Sequence, residues 1–243
     1  MSLPPRIVAV IGPTASGKTA LGCHLAHIFH GEIVSADAKQ VYRGMDIGTA
    51  KEKDLPVGQH LLDIKNPGEK ITVGEYQRLA YAVIDRLLSQ DVLPFLVGGS
   101  GLYAESVLNG YIFAGNGEKS RRQKSRYQSL KLGITLPRQE LRQRVADRTE
   151  RWLQDGLLDE ITRLLAAGVE PEWLSWCGQE YRYFTAYLLG EIGLEEAVAK
   201  TNTSINQFIK RQYTWWRRHP DVIWVSGGQE AEAAVRRFLE PVS

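Results

Sequence analysis

The sequence predicts an α/β fold: a parallel sheet flanked by helices, with a mainly helical C-terminal half. Three observations predict it. Short apolar runs rich in β-branched residues occur at Arg6–Ile11, Glu32–Ser35 and Leu93–Val97. Segments with helical spacing separate them, and that alternation builds parallel sheets. From Pro137 the pattern is helical almost to the end.

Taken in order, Arg6–Ile11 reads as a buried strand. A glycine-containing loop follows, then a helix from about Lys18 to Phe29. Glu32–Ser35 is a second short strand. Gln40–Lys65 is loop-like, with scattered Gly and Pro. Gly74–Gln90 places Tyr76, Leu79, Ala80, Val83, Ile84, Leu87 and Leu88 at helical spacing. Leu93–Val97 is another buried strand, closed by Gly98-Gly99. Residues 1–110 form the α/β core. Lys119–Lys131 then holds six basic residues and no acidic one, so 111–136 reads as a basic, mobile connector. In 137–243, Pro137 suits a first helical turn. Leu141, Val145, Trp152, Leu157, Ile161 and Leu164–Leu165 supply an apolar face. Leu194–Arg218 reads as one long helix. Asp221–Val225 is a late strand completing the core, and Glu230–Leu239 a closing helix.

Ligands of such sheets bind beyond the carboxyl ends of the strands. The loops after Ile11, Ser35 and Val97 are therefore expected to converge on one site.

Composition narrows the function classes. Of 243 residues, 43% are hydrophobic, enough for an ordinary core, so disorder is not expected. Net charge is only +2, so any basic surface must be local. Cys23 and Cys177 lack metal or disulfide spacing and read as inert packing residues in a reducing, cytoplasmic setting. No apolar run reaches the ~20 residues needed to span a bilayer. The N-terminus leads straight into a strand, without the pattern of a signal peptide.

Gly12-Pro13-Thr14-Ala15-Ser16-Gly17-Lys18-Thr19 fits GxxxxGK[ST] between a strand and a helix. This makes the fold P-loop NTPase-like. The glycines let backbone N–H groups turn inward around phosphate oxygens, and the helix N-terminus adds a favourable dipole. Lys18 offers a point charge to the outer phosphates. The Thr19 hydroxyl is placed to bind Mg²⁺, which takes few protein ligands. The motif commonly marks ATP or other nucleotide binding, yet by itself it specifies only a diphosphate. Leu93–Val97 ends in Gly-Gly-Ser rather than in an acidic metal ligand, which weakens a kinase or NTPase reading.

Asp37 follows the second strand and is expected to face the phosphate loop. A carboxylate there can accept a proton from a nucleophile attacking beside the diphosphate. The residue pattern equally allows a helix cap or loop hydrogen bond.

The segment Ser35–Lys51, with the phosphate loop and Val97-Gly98-Gly99-Ser100-Gly101-Leu102-Tyr103, resembles the tRNA dimethylallyltransferase family. His60-Leu61-Leu62-Asp63-Ile64 and Lys210-Arg211-Gln212-Tyr213-Thr214-Trp215 also look like its signatures. The resemblance covers about four-fifths of the chain. It implies an enzyme that binds dimethylallyl diphosphate with Mg²⁺ in the phosphate loop and uses no ATP. Such an enzyme alkylates N6 of the adenine 3′ of the anticodon in tRNA. By similarity, Asp37 would accept the amine proton and Gln40 would help place the flipped base, with Ala38, Lys39 and Arg211 also on the tRNA. Ser100 stands where the family usually has Thr and would contact the substrate. The resemblance also implies arginines near the diphosphate, matched by Leu141–Arg148. Arg144 and Arg148 share a helix face and would close over it, although a solvated face is the equal alternative.

Lys210, Arg211, Arg217 and Arg218 are interleaved with Tyr213, Trp215 and Trp216. Basic residues meet phosphates and aromatics stack on unpaired bases. Packing into the core is expected for at least one of the tryptophans.

Two departures from the family bear on RNA recognition. A helical insertion that clamps the anticodon loop is reduced here to about Tyr111–Lys131. The Gly-Tyr-Arg stretch of many relatives is replaced by Cys177-Gly178-Gln179-Glu180-Tyr181-Arg182. The basic connector is a candidate substitute for the clamp, or a plain linker. Alternatives to a monomeric tRNA prenyltransferase are a prenyltransferase of free adenine nucleotides, a small-molecule P-loop kinase, and a non-catalytic RNA-binding relative.

Overall fold

The computed structural model describes residues 4–113, 119–122 and 125–240. The chain runs β1 (Arg6–Ile11), α1 (Lys18–Ile28), β2 (Gly31–Ser35), β3 (Gln59–His60), α2 (Val73–Ser89), β4 (Leu93–Gly98) and α3 (Gly101–Leu108). It continues through β5 (Tyr111–Phe113), β6 (Lys119–Arg122), β7 (Gln128–Ile134), α4 (Arg138–Gln154), α5 (Leu157–Ala166) and α6 (Pro171–Cys177). The last elements are α7 (Gln179–Leu188), α8 (Leu194–Trp216), β8 (Val222–Val225) and α9 (Gly228–Leu239). The expected strands and helices of the first hundred residues form within a residue or two of their predicted bounds, and so do α8, β8 and α9.

Six strands form one parallel sheet in the order β3-β2-β4-β1-β7-β8. β1 lies inside it, which explains its unbroken apolar run. Its residues alternate between two cores. Ile7, Ala9 and Ile11 pack with α2, α3 and Trp216 on one side. Val8 and Val10 pack with α1 and α9 on the other. A third core joins α4–α8 to Val41, Tyr42 and Met45 of the loop after β2.

The connector expectation needs correction. β7 is a central strand paired with both β1 and β8. Leu130, Leu132 and Ile134 alternate into the core, and Lys131 on the opposite face is buried and ion-paired to Asp221 at 2.7 Å. The basic count of the segment hid its period of two. Arg126 is also engaged, paired with Asp85 at 2.9 Å and set over the Tyr81 ring. β5 and β6 form an antiparallel pair. Lys119, Arg121 and Arg122 are described as backbone only, and Lys124 lies outside the described residues.

Both tryptophans of α8 pack rather than project. Trp216 is buried in the core, and Trp215 lies partly buried against it. Cys23 and Cys177 are buried free thiols, and burial pushes the Cys177 thiol up to about 12. Among the described residues no helix is long and apolar enough to cross a membrane.

Candidate active site

The loops after β1, β2 and β4 meet at the carboxyl edge of the sheet, around a cavity of about 730 Å³. Thr14, Ala15, Gly17, Lys18, Thr19 and Asp37 line it. A smaller cavity of about 240 Å³ adjoins it, reaching Ala38, Lys39, Ser100 and Gln179. Thr14, Lys18, Asp37, Thr49, Arg148 and Trp152 line both, so the two spaces share one wall at the phosphate loop.

The loop has the backbone its sequence predicts. Gly17 sits at φ 87°, a left-handed conformation that spares glycine the Cβ penalty and starts α1. Ala15 also has positive φ, 61°. Gly12 lies against the Ile134 backbone of β7. The Ser16 hydroxyl is buried with no hydrogen-bond partner among the described residues. Lys18 Nζ donates to the Pro13 carbonyl at 2.6 Å. Burial pulls the Lys18 ammonium down to about 8, with Asp37 opposing and Arg148 adding to that shift.

Asp37 Oδ1 accepts from the Lys39 amide at 2.9 Å, which closes a tight Asx turn and leaves the other carboxylate oxygen uncommitted to that bond. The Ser100 hydroxyl accepts from the Ala38 amide at 3.0 Å, tying the β4 end to the β2 loop. Gly98 has no room for a side chain, because a Cβ there would lie 2.1 Å from the Ala36 carbonyl. Gln40 is spent on the loop: it accepts from Ser35 Oγ at 3.0 Å and donates to the Thr49 carbonyl at 3.3 Å. Lys39 is ion-paired with buried Glu180 at 2.7 Å.

The two arginines of α4 do reach the loop. Arg148 donates to Thr14 Oγ1 at 3.0 Å and stacks over Trp152 at 5.0 Å. Arg144 points Nη1 at the Ala15 carbonyl, 3.5 Å away, while Nη2 pairs with Glu140. Arg211 is exposed, its guanidinium 5.6 Å from the Phe208 ring centre, and it lines neither cavity.

Two supporting residues escaped the sequence reading. Gln212 accepts from the Thr14 amide and donates to the Gly99 carbonyl, both at 2.9 Å. Buried Glu160 accepts from the Asp46, Ile47 and Gly48 amides at 2.8, 2.8 and 3.2 Å, and from Tyr181 at 2.7 Å. The same signal marks both. Gln212 shares a helical stripe with Ile205, Ile209 and Trp216, and Glu160 with Leu157, Ile161 and Leu164. A polar residue inside an apolar stripe must have a buried partner.

Comparison with known proteins agrees with this geometry. The IPP transferase family model matches residues 40–123 and 113–219. The chain belongs to the IPP transferase family. Its relatives include tRNA dimethylallyltransferase 1 of Geotalea uraniireducens, 35% identical over 281 positions that cover 91% of this chain and 93% of the relative. The tRNA dimethylallyltransferase of Streptomyces coelicolor is 36% identical, covering 92% and 91%. Among solved structures, the tRNA isopentenylpyrophosphate transferase of Bacillus halodurans superposes with a TM-score of 0.87 at 29% identity, covering 96% of this chain and 95% of that one. A eukaryotic dimethylallyltransferase acting on tRNA shares the fold, with a TM-score of 0.79 at 18% identity. Since 91% of 243 residues is about 221, the 281 positions aligned with the Geotalea IPP transferase relative include about 60 that this chain lacks. The two family-model matches meet at 113–123, in the β5–β6 region.

Proposed function

We propose that this chain transfers a dimethylallyl group from dimethylallyl diphosphate to N6 of the adenine 3′ of the anticodon in tRNA. One observation carries the reading: Lys18 and Asp37 line the same two adjoining cavities. The larger space takes the diphosphate against the loop, Arg144 and Arg148. The smaller space takes the turned-out adenine beside Asp37 and Ser100.

In the reaction the allylic C–O bond breaks as the C–N6 bond forms. Negative charge grows on the departing diphosphate, where the loop amides, Lys18 and Arg148 stabilise it. The N6 proton passes to the Asp37 carboxylate. Ser100 holds the Ala38 amide and so sets the position of the Asp37 turn.

The residues present fit Mg²⁺. Thr19 lines the larger cavity, and the buried Ser16 hydroxyl lacks a partner among the described residues. Among those residues no group of three or more His, Cys, Asp or Glu could hold a metal. That suits an ion held chiefly by phosphate and water. Thr19 would hold it, and when bound it neutralises charge on the leaving diphosphate. The reading places the enzyme in the cytoplasm, acting as a monomer.

The test is incubation with labelled dimethylallyl diphosphate and Mg²⁺, adding either bulk tRNA or AMP, with ATP supplied separately. Label is expected in tRNA alone. Label in AMP, or phosphorylation that depends on ATP, overturns the proposal.

A further inference from the structure

Trp176 is 68% exposed, the most open large hydrophobic side chain of the described residues. It stands near the end of α6 and lines the smaller cavity with Asp37, Ser100, Gln179 and Phe208. Exposure alone would say little, but this indole stands in the lining of the cavity that holds Asp37, with its apolar face open to an occupant.

The ring is supported from behind. It lies 6.4 Å from Trp173 at a tilt of 50°, and Trp173 meets Tyr42 edge-on at 4.9 Å and 88°. Tyr42 is buried in the helical core. The three rings make a ladder from that core to the cavity rim. From α8, Phe208 lines the same cavity and carries the Arg211 guanidinium over its ring.

We infer that Trp176 is a stacking platform for an unpaired nucleobase flanking the acceptor adenine, and so a positioning residue for the RNA. The inference rests on the tRNA reading above. Turning one base out of a loop breaks the stacking of its neighbours. An aromatic face at the rim replaces part of that stacking, without sequence preference, because every base has a π-face. The chain lacks about 60 positions present in a relative. Arg126 and Lys131 of the basic segment are already ion-paired. With those two charges spent, residues at the cavity mouth are further groups able to hold the loop.

The experiment compares the full chain with Trp176→Ala and Trp176→Phe, using an anticodon stem–loop RNA. Trp176→Ala should raise KM for the RNA about tenfold and leave kcat within about twofold, the worth of one stacked base. Trp176→Phe keeps a ring and should retain most of the affinity. Inorganic diphosphate should bind all three proteins alike, which reports an intact phosphate loop. RNA should quench indole fluorescence in the wild type, and Trp176→Phe should lose that quenching. A KM for Trp176→Ala equal to that of the wild type overturns the inference, as does quenching that is absent in the wild type or persists unchanged in Trp176→Phe. Wild-type protein that prenylates no RNA would instead sink the functional reading, and the quenching measurement would still decide the role of Trp176.

Discussion

Thr14 and Gln212 lie 198 residues apart in the chain and 2.9 Å apart in the fold, joined by a hydrogen bond from the Thr14 amide to the Gln212 side chain. The same side chain donates to the Gly99 carbonyl at 2.9 Å. One buried amide thus fastens the phosphate loop to the carboxyl end of β4. It fixes the spacing between the diphosphate subsite and the Ser100 side of the site. A side-chain amide suits this place because its oxygen accepts and its NH₂ donates at the same time.

Gln212→Ala leaves the buried Gly99 C=O without its partner, at about 1–3 kcal/mol, and the half-buried Thr14 N–H without its own, at somewhat less. The unfolding free energy should fall by about 2–4 kcal/mol in a urea titration. Gln212→Glu keeps the acceptor but brings a negative charge to the phosphate loop. Its diphosphate affinity, read by calorimetry, should fall further than that of Gln212→Ala.

Asp37→Asn keeps an oxygen for the Lys39 amide and removes the proton acceptor. Single-turnover transfer of label to tRNA should drop by roughly a hundredfold or more. Diphosphate binding should persist. Near-normal turnover would show that another group takes the proton.

Lys18 links affinity and stability to pH with opposite signs. Burial sets its ammonium to about 8, so diphosphate affinity should decline as pH rises through 8. One linked proton gives a slope approaching tenfold per pH unit. Lys18→Met should lose that limb of the profile. For stability, the lysine pKa is lower in the folded chain than in the unfolded one. From pH 8 to about 10.5 the unfolded chain therefore binds more protons, and the Lys18 contribution to stability rises with pH. The unfolding free energy of wild type relative to Lys18→Met, followed by denaturant titration from pH 7 to 10, should move in favour of the wild type.

Glu160→Gln should loosen the wall of the larger cavity. The carboxylate has acceptors for three amides and the Tyr181 hydroxyl, whose proton burial and the Glu160 charge hold firmly in place. A glutamine has one acceptor oxygen and presents an N–H to donors. Stability should fall by about 3 kcal/mol. Hydrogen exchange at Asp46–Gly48 should quicken relative to the rest of the protein.

The phosphate loop, its flanking strand and helix, the convergence of three loops and the long α8 were all legible from neighbouring residues. Each depends on a local pattern: a period, a glycine at a turn, a lysine at a helix start. Asp37 was legible as a candidate because a strand end places it, although the pattern left two roles open. β7 is not legible locally because Lys131 and its basic neighbours read as solvated charge, and the partners that let Lys131 be buried, Asn109 and Asp221, lie far along the chain. The resemblance puts Gln40 and Lys39 on the RNA, yet in the fold they bond to Ser35, Thr49 and Glu180. Gln212 stands within a family signature, and its bracing role depends on Thr14 and Gly99, both more than a hundred residues away.

The amino-acid sequence by itself determined that a diphosphate cradle stands at the edge of a parallel sheet, since close neighbours along the chain suffice to build one. Tertiary structure decided which charges are spent in pairs, which polar side chains brace the cradle, and that an indole is left open at its rim. Those outcomes depend on partners far away in sequence, and a buried polar group reveals its role only when the fold delivers that partner.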